Sequence, residues 1–542
     1  MQPSAVEVSI MGCPVLSGRL LQPADPELQT LRTLNEWTAF ARKLRGQFCI
    51  TIHDADGVTA ITDFCGSYPI YYLACQEGYR VSTRLSDLRP YCSGQISREA
   101  LYFFGARGSI GIDPLYAGVR QVFPATVIRL AREVQERRYV DWTEMGSERD
   151  VDCDRALRTF VDCASSFLAA VTRNEPHVGC LLSGGTDSAI VAWLLKRVHP
   201  RVTCFTHDYR IGRYSEYTAA LDHAERLGAA HQRVMVGRRD HWSAFEAMNS
   251  SEADLPASHS HLTSLHKTAN AARELGIRML FTGDNADTLF MGLEGFFSGL
   301  PDELDAYARH ARELSTEQKL GRAICWSQMG ERGAAVFRAM GIDPAECEQW
   351  IKQRGRMDRN TFEPFASRFA LWRFLQITGQ FWAGVPYQSC WLPAERSAGV
   401  VFVSPFLDVE MVRFGISLPI ELKFRNGIKK YLLHHLLERE TSLRIEKRSS
   451  PNPSRLWTLF PDASLPFKMD TRLRGPYAGF CVRNIAKRGA LHTSVANIAA
   501  LGLWLRQHKL GDVASRKPCY APDGSPPEVV FKTRADAARI IK

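Results

Sequence analysis

The chain has 542 residues, of which 45% are hydrophobic and 23% charged, and its formal net charge is +10. This length predicts two or three domains, and the composition is that of an ordinary globular protein. No apolar run approaches the roughly 20 residues that cross a bilayer, and no signal segment opens the chain, so we expect a cytoplasmic protein without membrane partners. No CxxC pair occurs among its 14 cysteines, so we expect no zinc site. We also expect no nucleic-acid partner.

Residues 1–145 are rich in short strand-like runs that are broken by Gly, Asp and Pro. These runs are GQFCITIHD, VTAITDF, PIYYLAC, YRVSTRL and TVIRLA. The pattern predicts a β-rich first domain that ends near residue 145. The polar stretch DWTEMGSERDVDCD follows it and is typical of a linker.

From residue 150 the pattern changes to strands that alternate with helices. The strand-like runs are VGCLL, RVTCFT, QRVMV and IRMLFTG, and the helix-like runs are DSAIVAWLLKRV, SEYTAALDHAERLG and LTSLHKTANAARELG. The alternation predicts βαβ units and a parallel sheet, with ligands at the carboxyl ends of its strands. We assign this domain to residues 150–460, mostly helical after residue 300, and residues 461–542 to a C-terminal extension of unknown role.

The stretch LLSGGTDSA follows the first of these strands. Gly184 and Gly185 would let the backbone turn tightly and approach a ligand. Ser183 and Ser188 carry hydroxyl donors, and the amide groups at the start of the next helix favour a phosphate. The lysine of a Walker loop is absent, and Asp187 stands in the stretch instead. Because a carboxylate repels a polyphosphate unless a metal lies between them, Asp187 implies Mg²⁺.

Two stretches carry a resemblance to a known family. SGGTDS resembles the PP-loop of ATP pyrophosphatases, which split ATP into AMP and pyrophosphate, and LFTGDNADTLFMG resembles the GEGADELFGGY element of asparagine synthetase-like enzymes. The resemblance implies ATP as cosubstrate and Mg²⁺ clamped between two loops by Asp187 and Asp287. It also implies a set of ATP-binding residues: Leu181 on the adenine side, Ser183, Gly184, Gly185, Asp187, Ser188, Thr282 and Gly283.

The same resemblance implies catalytic roles for Lys430, Lys447 and Asp284. GIKKYLLHHLL is similar to the family's GxxKYLLR and places Lys430 at the family lysine, and RIEKRSS places Lys447 where a lysine steadies the charged intermediate. An ammonium group suits this role because it neutralises charge that develops during the reaction. Two further matches are SEADLP, with Asp254 at an acidic position of the family, and SPFLD, which is similar to RxPFLD.

The front domain resembles the class II glutamine amidotransferase half of asparagine synthetase. TDFCGSYPIYY is similar to RDRFGIKPLYY, and RVSTRLSDL to FASELKAL. The resemblance therefore implies a two-domain α/β fold, in which an Ntn-type β-rich sandwich precedes a PP-loop synthetase domain with a parallel sheet and helical additions. Working glutaminases of the family expose a cysteine after the initiator methionine, where this sequence has Gln2. We therefore expect no glutaminase activity, and we interpret Cys13 as a buried thiol.

Without ammonia from glutamine, the attacking amine is expected to belong to the substrate, as in β-lactam or carbapenam synthetases and in lasso peptide cyclases. Asp284, Asn285 and Thr288 depart from the asparagine synthetase motif. Val401 and Val403 stand where the family motif ExRxPFLD has charged residues, which predicts a more apolar wall. We favour the lasso cyclase, which joins an Asp or Glu side chain of a precursor peptide to the peptide's N-terminal amine. Its expected partners are a leader-binding protein and a leader peptidase.

Other functions stay open at this point. They are a β-lactam-type synthetase for a small amino acid, an asparagine synthetase that uses free ammonia, a non-catalytic scaffold, and a tRNA-modifying PP-loop enzyme. The scaffold is disfavoured by the presence of Ser183, Asp187, Asp287 and Lys430 together. The tRNA enzyme would need an RNA-binding module, and the sequence has no such signature.

Overall fold

The computed structural model of the protein describes residues 6–292, 391–445 and 500–505, apart from residues 77, 93, 98–99, 101–103, 105–113, 141–149, 210–215, 250–252, 258–260, 442, 444 and 502. A β-rich first part, residues 6–140, is followed by a second part that is built around a parallel sheet.

The first part contains two antiparallel sheets. They have the strand orders β1-β4-β5-β9-β10 and β7-β6-β8, and β2 pairs with β3 separately. The five predicted runs form β4, β5, β6, β7 and β9, which confirms the β-rich prediction, while the amidotransferase-like assignment stays a prediction. The strands are β1 (Glu7–Gly12), β2 (Val15–Leu16), β3 (Arg19–Leu20), β4 (Phe48–Asp54), β5 (Gly57–Thr62), β6 (Tyr71–Cys75), β7 (Gly78–Ser82), β8 (Arg120–Gln121), β9 (Thr126–Leu130) and β10 (Val134–Arg138).

The helices of the first part were not part of the sequence prediction. They are α1 (Pro26–Thr30), α2 (Leu34–Ala41) and α3 (Leu85–Leu88), with a 3-10 turn at Arg89–Tyr91. Helix α2 begins with a capping box, because Thr33 Oγ1 accepts a hydrogen bond from Glu36 N at 3.2 Å and Glu36 Oε2 accepts one from Thr33 N at 2.8 Å. The T-x-x-E spacing was therefore a usable signal for this helix.

The second part contains a five-stranded sheet in the order β13-β12-β11-β14-β15, and every neighbouring pair is parallel. This confirms the predicted parallel sheet, since the four predicted strands are β11 to β14. All four residues of β11 are buried, as expected for a central strand with both faces covered. The strands are β11 (Val178–Leu181), β12 (Val202–Tyr209), β13 (Ala230–Val236), β14 (Met279–Phe281) and β15 (Val401–Val403), followed by the hairpin β16 (Phe424–Arg425) and β17 (Ile428–Lys429).

The direction in which strands are added reverses between β11 and β14. From β11 the chain adds β12 and β13 on one side, and β14 then returns to the other side of β11. At such a switch point the loops after the two central strands leave a crevice in which ligands bind. The loop after β11 carries SGGTDS, and the loop after β14 carries TGDNAD, so the topology brings the two motifs to one place.

Helices surround the parallel sheet, and three of them, α5, α6 and α8, match the predicted runs. Helix α4 is a correction, because its first residues, Cys153 and Asp154, lie in the predicted linker. Asp152 caps this helix by accepting from Arg155 N at 2.8 Å. The helices are α4 (Cys153–Thr172), α5 (Thr186–Val198), α6 (Tyr217–Arg226), α7 (Arg238–Met248), α8 (Leu262–Glu274), α9 (Ala286–Phe290), α10 (Leu392–Ala398), α11 (Val409–Ser417), α12 (Ile420–Lys423) and α13 (Tyr431–Glu440), with a 3-10 turn at Pro405–Leu407.

An aromatic cluster lies under the loops of the switch point. The ring of Phe160, from α4, is 5.8 Å from that of Phe290, 6.3 Å from that of Phe406 and 6.3 Å from that of Phe414. Phe160, Phe290 and Phe406 are completely buried. The cluster joins α4, α9, the 3-10 turn and α11, and it therefore supports the loop that carries Asp287.

Residues 500–505 belong to the predicted C-terminal extension and pack between the two parts. Trp504 is completely buried, its ring centroid lies 5.7 Å from that of Tyr116, and its Nε1 donates to the carbonyl of Ala253 at 2.8 Å. This short segment thus contacts both parts of the chain.

In the described part of the chain, no helix combines the length and the apolar character that a bilayer crossing needs.

Replacement of Phe160 by Ala tests the aromatic cluster. We expect Phe160→Ala to lower the free energy of unfolding by about 3–5 kcal/mol, because it removes a buried ring and leaves a cavity between four elements. Urea denaturation measures the change. Arg158→Ala, an exposed position on the same helix, serves as the control and should change stability by less than about 0.5 kcal/mol. Equal effects of the two variants would contradict the role of the cluster.

Candidate active site

The loop after β11 leads directly into the N-terminus of helix α5. Leu181 ends the strand and is 8% exposed, and Gly184 has a φ of +70°, which glycine adopts without strain. Gly185 holds the N-cap position and has no side chain that could cap the helix. The first amide groups of α5 therefore lack intrahelical acceptors, and such a helix N-terminus suits an anion.

The hydroxyl groups of this loop shape its backbone. Ser188 Oγ donates to the carbonyl of Gly185 at 3.1 Å and accepts from the amide of Ser183 at 3.1 Å. The hydroxyl oxygens of Ser183 and Ser188 lie 3.2 Å apart. Ser188 therefore holds the turn closed, and direct contact of Ser183 and Ser188 with a nucleotide stays a prediction.

The loop after β14 lies against the loop after β11. A side chain on Gly283 would place its Cβ 2.7 Å from Asp187 Cβ and 3.0 Å from Ser188 N. Glycine is therefore required for the two loops to touch. Thr282 is buried, donates its amide to the carbonyl of Val403 at 2.9 Å, and accepts the amide of Asp284 on Oγ1 at 3.3 Å.

Lys430 joins the two loops through its ammonium group. Lys430 Nζ lies 2.6 Å from Asp187 Oδ2 and 2.5 Å from Asp287 Oδ1. The Asp187 and Lys430 side chains are 19% and 14% exposed, and that of Asp287 is 45% exposed. The structure thus brings together the two predicted metal ligands and one predicted catalytic lysine, from positions far apart in the sequence.

Burial acts to lower the pKa of Lys430, but the negative charges of Asp187 and Asp287 outweigh it, so the pKa lies above its ordinary value. The group is therefore a permanent cation at neutral pH. The position of its ammonium group shows that the carboxylates of Asp187 and Asp287 can contact one positive charge together.

The donors at this point fit Mg²⁺. Mg²⁺ is commonly held by one or two carboxylates together with substrate phosphates and water, and Asp187 and Asp287 supply two carboxylates beside an anion-binding helix N-terminus. The described residues contain no group of three or more His, Cys, Asp or Glu side chains placed to hold a metal.

Gly292 provides the space that Lys430 needs. A Cβ on this residue would overlap Lys430 Cε and Asp287 Oδ1 and would lie 2.8 Å from Lys430 Nζ. Any side chain here must displace the lysine or the carboxylate. Gly292 was not among the predicted site residues, although it stands at the last glycine of the GEGADELFGGY pattern.

Three non-glycine residues around the carboxylates have left-handed backbone conformations: Asn285 with a φ of +75°, Met291 with +60° and Lys430 with +53°. Both Asn285 and Met291 stand where the GEGADELFGGY pattern has glycine. Each costs free energy in this conformation, and such strain is often found at functional sites. The surrounding contacts therefore have to hold this loop in place.

Asp284 lies beside the carboxylate pair and has an altered pKa. Burial, and then the negative charge of Asp287, raise the pKa of Asp284 to about 6, although hydrogen bonds from Asn285 and Trp391 favour its charged form. Its backbone carbonyl accepts from Ser404 Oγ at 2.7 Å. The side chain can thus change protonation state close to neutral pH.

His434 is a site residue that the sequence analysis missed. Its Nε2 lies 3.3 Å from Thr186 Oγ1, on the first residue of α5. Burial, followed by the positive charge of Lys430, lowers the pKa of His434, so the imidazole is neutral at pH 7. The available signal was the position of His434 four residues after Lys430, which is the N-cap of α13, and the family pattern GxxKYLLR has arginine at this position.

Other predicted residues lie elsewhere. Lys447 is outside the described residues. Asp254 pairs with Arg396 and accepts the amide of Ser86 at 3.1 Å, so it joins the two parts of the chain. Val403 is completely buried in β15. The interpretation of Val403 as part of an apolar wall around a substrate is therefore wrong, because a residue within the core cannot line a cleft.

Comparison with known proteins identifies relatives. The family model described as asparagine synthase matches residues 164–465, more than half of the chain. Asparagine synthetase (glutamine-hydrolyzing) 1 of Bacillus subtilis (strain 168) is 23% identical over 452 residues, which cover 77% of this chain and 69% of that protein.

Two solved structures show weak similarity. The NH3-dependent NAD synthetase from Campylobacter jejuni subsp. jejuni NCTC 11168, in complex with the nitrate ion, is 18% identical, covers 26% of this chain and 61% of that chain, and has a TM-score of 0.19. The NMN synthetase from Francisella tularensis is 12% identical, and the match covers 38% of this chain and 87% of that chain, with a TM-score of 0.20. The family match therefore rests on sequence alone.

Replacement of Gly292 by Ala tests the close approach of Lys430. We expect the affinity for ATP with Mg²⁺ to fall by about 100-fold, because the methyl group displaces Lys430 or Asp287 from the shared position. Isothermal titration calorimetry measures the affinity. Gly237→Ala is the matched control, since its Cβ would meet only Asp240 Oδ2, at an ordinary 3.4 Å. An unchanged affinity in Gly292→Ala would reject the requirement for glycine.

Replacement of Asp284 by Asn tests its altered pKa. The folded pKa of about 6 lies above the ordinary 3.8, so the folded protein binds this proton more tightly than the unfolded chain. The resulting stabilisation is fully present below about pH 4 and is lost as the pH rises through about 6. Asp284→Asn cannot ionise, so its free energy of unfolding should fall less between pH 4 and pH 7, as measured by urea denaturation. The same pH profile as wild type would refute the shift, and Asp56→Asn, at an exposed position, serves as the control.

Proposed function

The chain belongs to the asparagine synthase family, and we propose that it is an ATP-dependent carbon–nitrogen ligase that activates a carboxylate as an acyl adenylate. The observation that carries this proposal is the meeting of Asp187, Asp287 and Lys430 in front of the N-terminus of α5. Two carboxylates, a buried ammonium and a helix N-terminus together suit a metal-bound polyphosphate better than any neutral ligand.

In the proposed reaction, the N-terminus of α5 binds the pyrophosphate portion of ATP through backbone amides. Asp187 and Asp287 would hold Mg²⁺, which neutralises the charge of the pyrophosphate when bound. Lys430, which contacts one oxygen of each carboxylate, adds a second positive charge beside this position and keeps its proton, because its pKa is raised. These groups stabilise the negative charge that grows on the leaving pyrophosphate.

The chemistry proceeds in two steps. An oxygen of the substrate carboxylate attacks the α-phosphorus of ATP, and the bond to pyrophosphate breaks. An amine then attacks the acyl carbon, loses a proton, and expels AMP to leave an amide. Activation is needed because a carboxylate is a poor electrophile, and water has to be excluded from the acyl adenylate.

We further propose that the amine belongs to the substrate. Burial raises the pKa of the Cys13 thiol to about 12 and that of Cys92 to about 11, and it also raises the pKa values of Cys49 and Cys65. Such thiols are poor nucleophiles at neutral pH. The raised pKa values therefore support the proposal that none of these four cysteines releases ammonia from glutamine.

The proposed substrate is a ribosomally made precursor peptide, in which an Asp or Glu side chain is joined to the N-terminal amine as a macrolactam. The proposal rests on the departures at Asp284, Asn285 and Thr288 from the asparagine synthetase motif. A leader peptidase would have to free the amine, and a leader-binding protein would present the peptide.

A second candidate is an asparagine synthetase that uses free ammonia. The similarity to the Bacillus subtilis asparagine synthetase, over 77% of this chain, favours it. A β-lactam-type synthetase, acting on a small amino acid, would use the same adenylation chemistry.

The test incubates the purified full-length protein with ATP, Mg²⁺ and either a leader-free precursor peptide or aspartate with ammonia. We expect AMP release together with loss of one water from the peptide, detected by mass spectrometry. Asp187→Asn should lower AMP formation by about 100-fold, because it removes one of the two carboxylates. Asp222→Asn is the matched control, since Asp222 is an exposed residue paired with Arg226.

The outcomes separate the candidates. Asparagine formation, with the peptide unchanged, would replace the macrolactam proposal by the second candidate. Release of no AMP with any substrate would reject the ligase, and full activity of Asp187→Asn would reject the role of that carboxylate.

A further inference from the structure

The turn at residues 284–287, which carries Asp287, depends on contacts from outside its own loop. Asn285 is left-handed, with a φ of +75°, and helix α9 is only five residues long, so local structure does not hold the turn. Ser404 Oγ donates to the carbonyl of Asp284 at 2.7 Å, and Asn285 Nδ2 donates to the carbonyl of Phe406 at 3.2 Å. The SPFLD segment, residues 404–408, therefore fixes the turn.

The first part of the chain in turn holds the SPFLD segment at its beginning. The amide of Ser404 donates to Gln47 Oε1 at 2.7 Å. Gln47 is completely buried and Ser404 is 1% exposed. A buried amide needs an acceptor, and Gln47 supplies it from a position more than 350 residues earlier in the chain.

The end of the SPFLD segment is held by a charged contact. Arg45 Nη2 lies 2.6 Å from Asp408 Oδ2, and the amide of Gly46 donates to Asp408 Oδ1 at 3.2 Å. Asp408 is 1% exposed. Residues 45–47 of the first part thus contact both ends of the segment that fixes the turn.

We propose that the first part of the chain braces the nucleotide-binding turn, and that Gln47 is a positioning residue that acts on Asp287 through Ser404. This inference rests on the proposed function, because the position of Asp287 matters for nucleotide binding only if the site takes ATP. Gln47 is suited to this role because its oxygen is the group used; within the described residues, nothing accepts a hydrogen bond from its Nε2. The first part would then serve the synthetase site without performing chemistry of its own.

The test compares two variants of nearly equal size. Gln47→Met removes the acceptor. Gln47→Glu keeps an oxygen that can accept from Ser404 N, because burial favours the protonated, neutral form of a carboxyl group at this position. Arg129→Met is the control, because it breaks an ion pair with Asp54 inside the first part and does not touch the SPFLD segment. Calorimetry measures the dissociation constant of ATP with Mg²⁺ at a temperature at which circular dichroism shows every variant folded. Hydrogen exchange is followed in peptides that cover residues 282–291.

We expect Gln47→Met to raise the dissociation constant by about 10-fold and to speed exchange at residues 284–287, with Gln47→Glu and Arg129→Met close to wild type. A merely structural role of Gln47 would lower the unfolding temperature without changing either value in the folded protein. Wild-type affinity and wild-type exchange in Gln47→Met would overturn the brace, as would equal shifts in Gln47→Met and Arg129→Met. Failure of the wild type to bind ATP would overturn the proposed function instead. The exchange data would still test whether Gln47 holds residues 284–287 in place.

Discussion

The candidate site depends on one electrostatic contact, in which a lysine neutralises two carboxylates that the sheet topology brings together. The switch between β11 and β14 puts Asp187 and Asp287 on adjoining loops, and both contact the ammonium of Lys430. Carboxylates this close repel each other unless a cation lies between them. The lysine can reach them because Gly292 has no side chain, and the loops can touch because Gly283 has none. The local features of the site are thus consequences of one electrostatic requirement.

Backbone strain connects this requirement to the rest of the molecule. Asn285 and Met291 hold left-handed conformations that cost roughly 1–2 kcal/mol for a residue other than glycine. Met291 offsets part of this cost by burial, and Asn285 by its hydrogen bond to Phe406. The loop is therefore held by its neighbours, which include the aromatic cluster and the SPFLD segment. Because Gln47 in turn holds the SPFLD segment, the geometry of the site is shared between both parts of the chain.

The sequence analysis succeeded where the signal was local. Strands β11 and β14 and helix α5 follow from hydrophobic runs and glycine positions, and the SGGTDS and TGDNAD stretches lie at the strand ends where they were expected. It failed where the meaning of a residue depends on what surrounds it. Val403 looked like a substitution in a substrate wall, but the residue is buried in the sheet. The sequence left the role of Asp254 open, and the structure pairs its carboxylate with Arg396.

The sequence by itself determined most of the strands, three helices around the parallel sheet, the family, and the residue types available for polyphosphate and metal binding, because these depend on periodicity and on short motifs. Only the tertiary structure decided which charges meet. The structure pairs Lys430 with Asp187, His434 with Thr186, and Gln47 with Ser404. These residues lie 243, 248 and 357 positions apart in the sequence. No local pattern encodes such pairs, since they arise from how parallel strands and the two parts of the chain pack together.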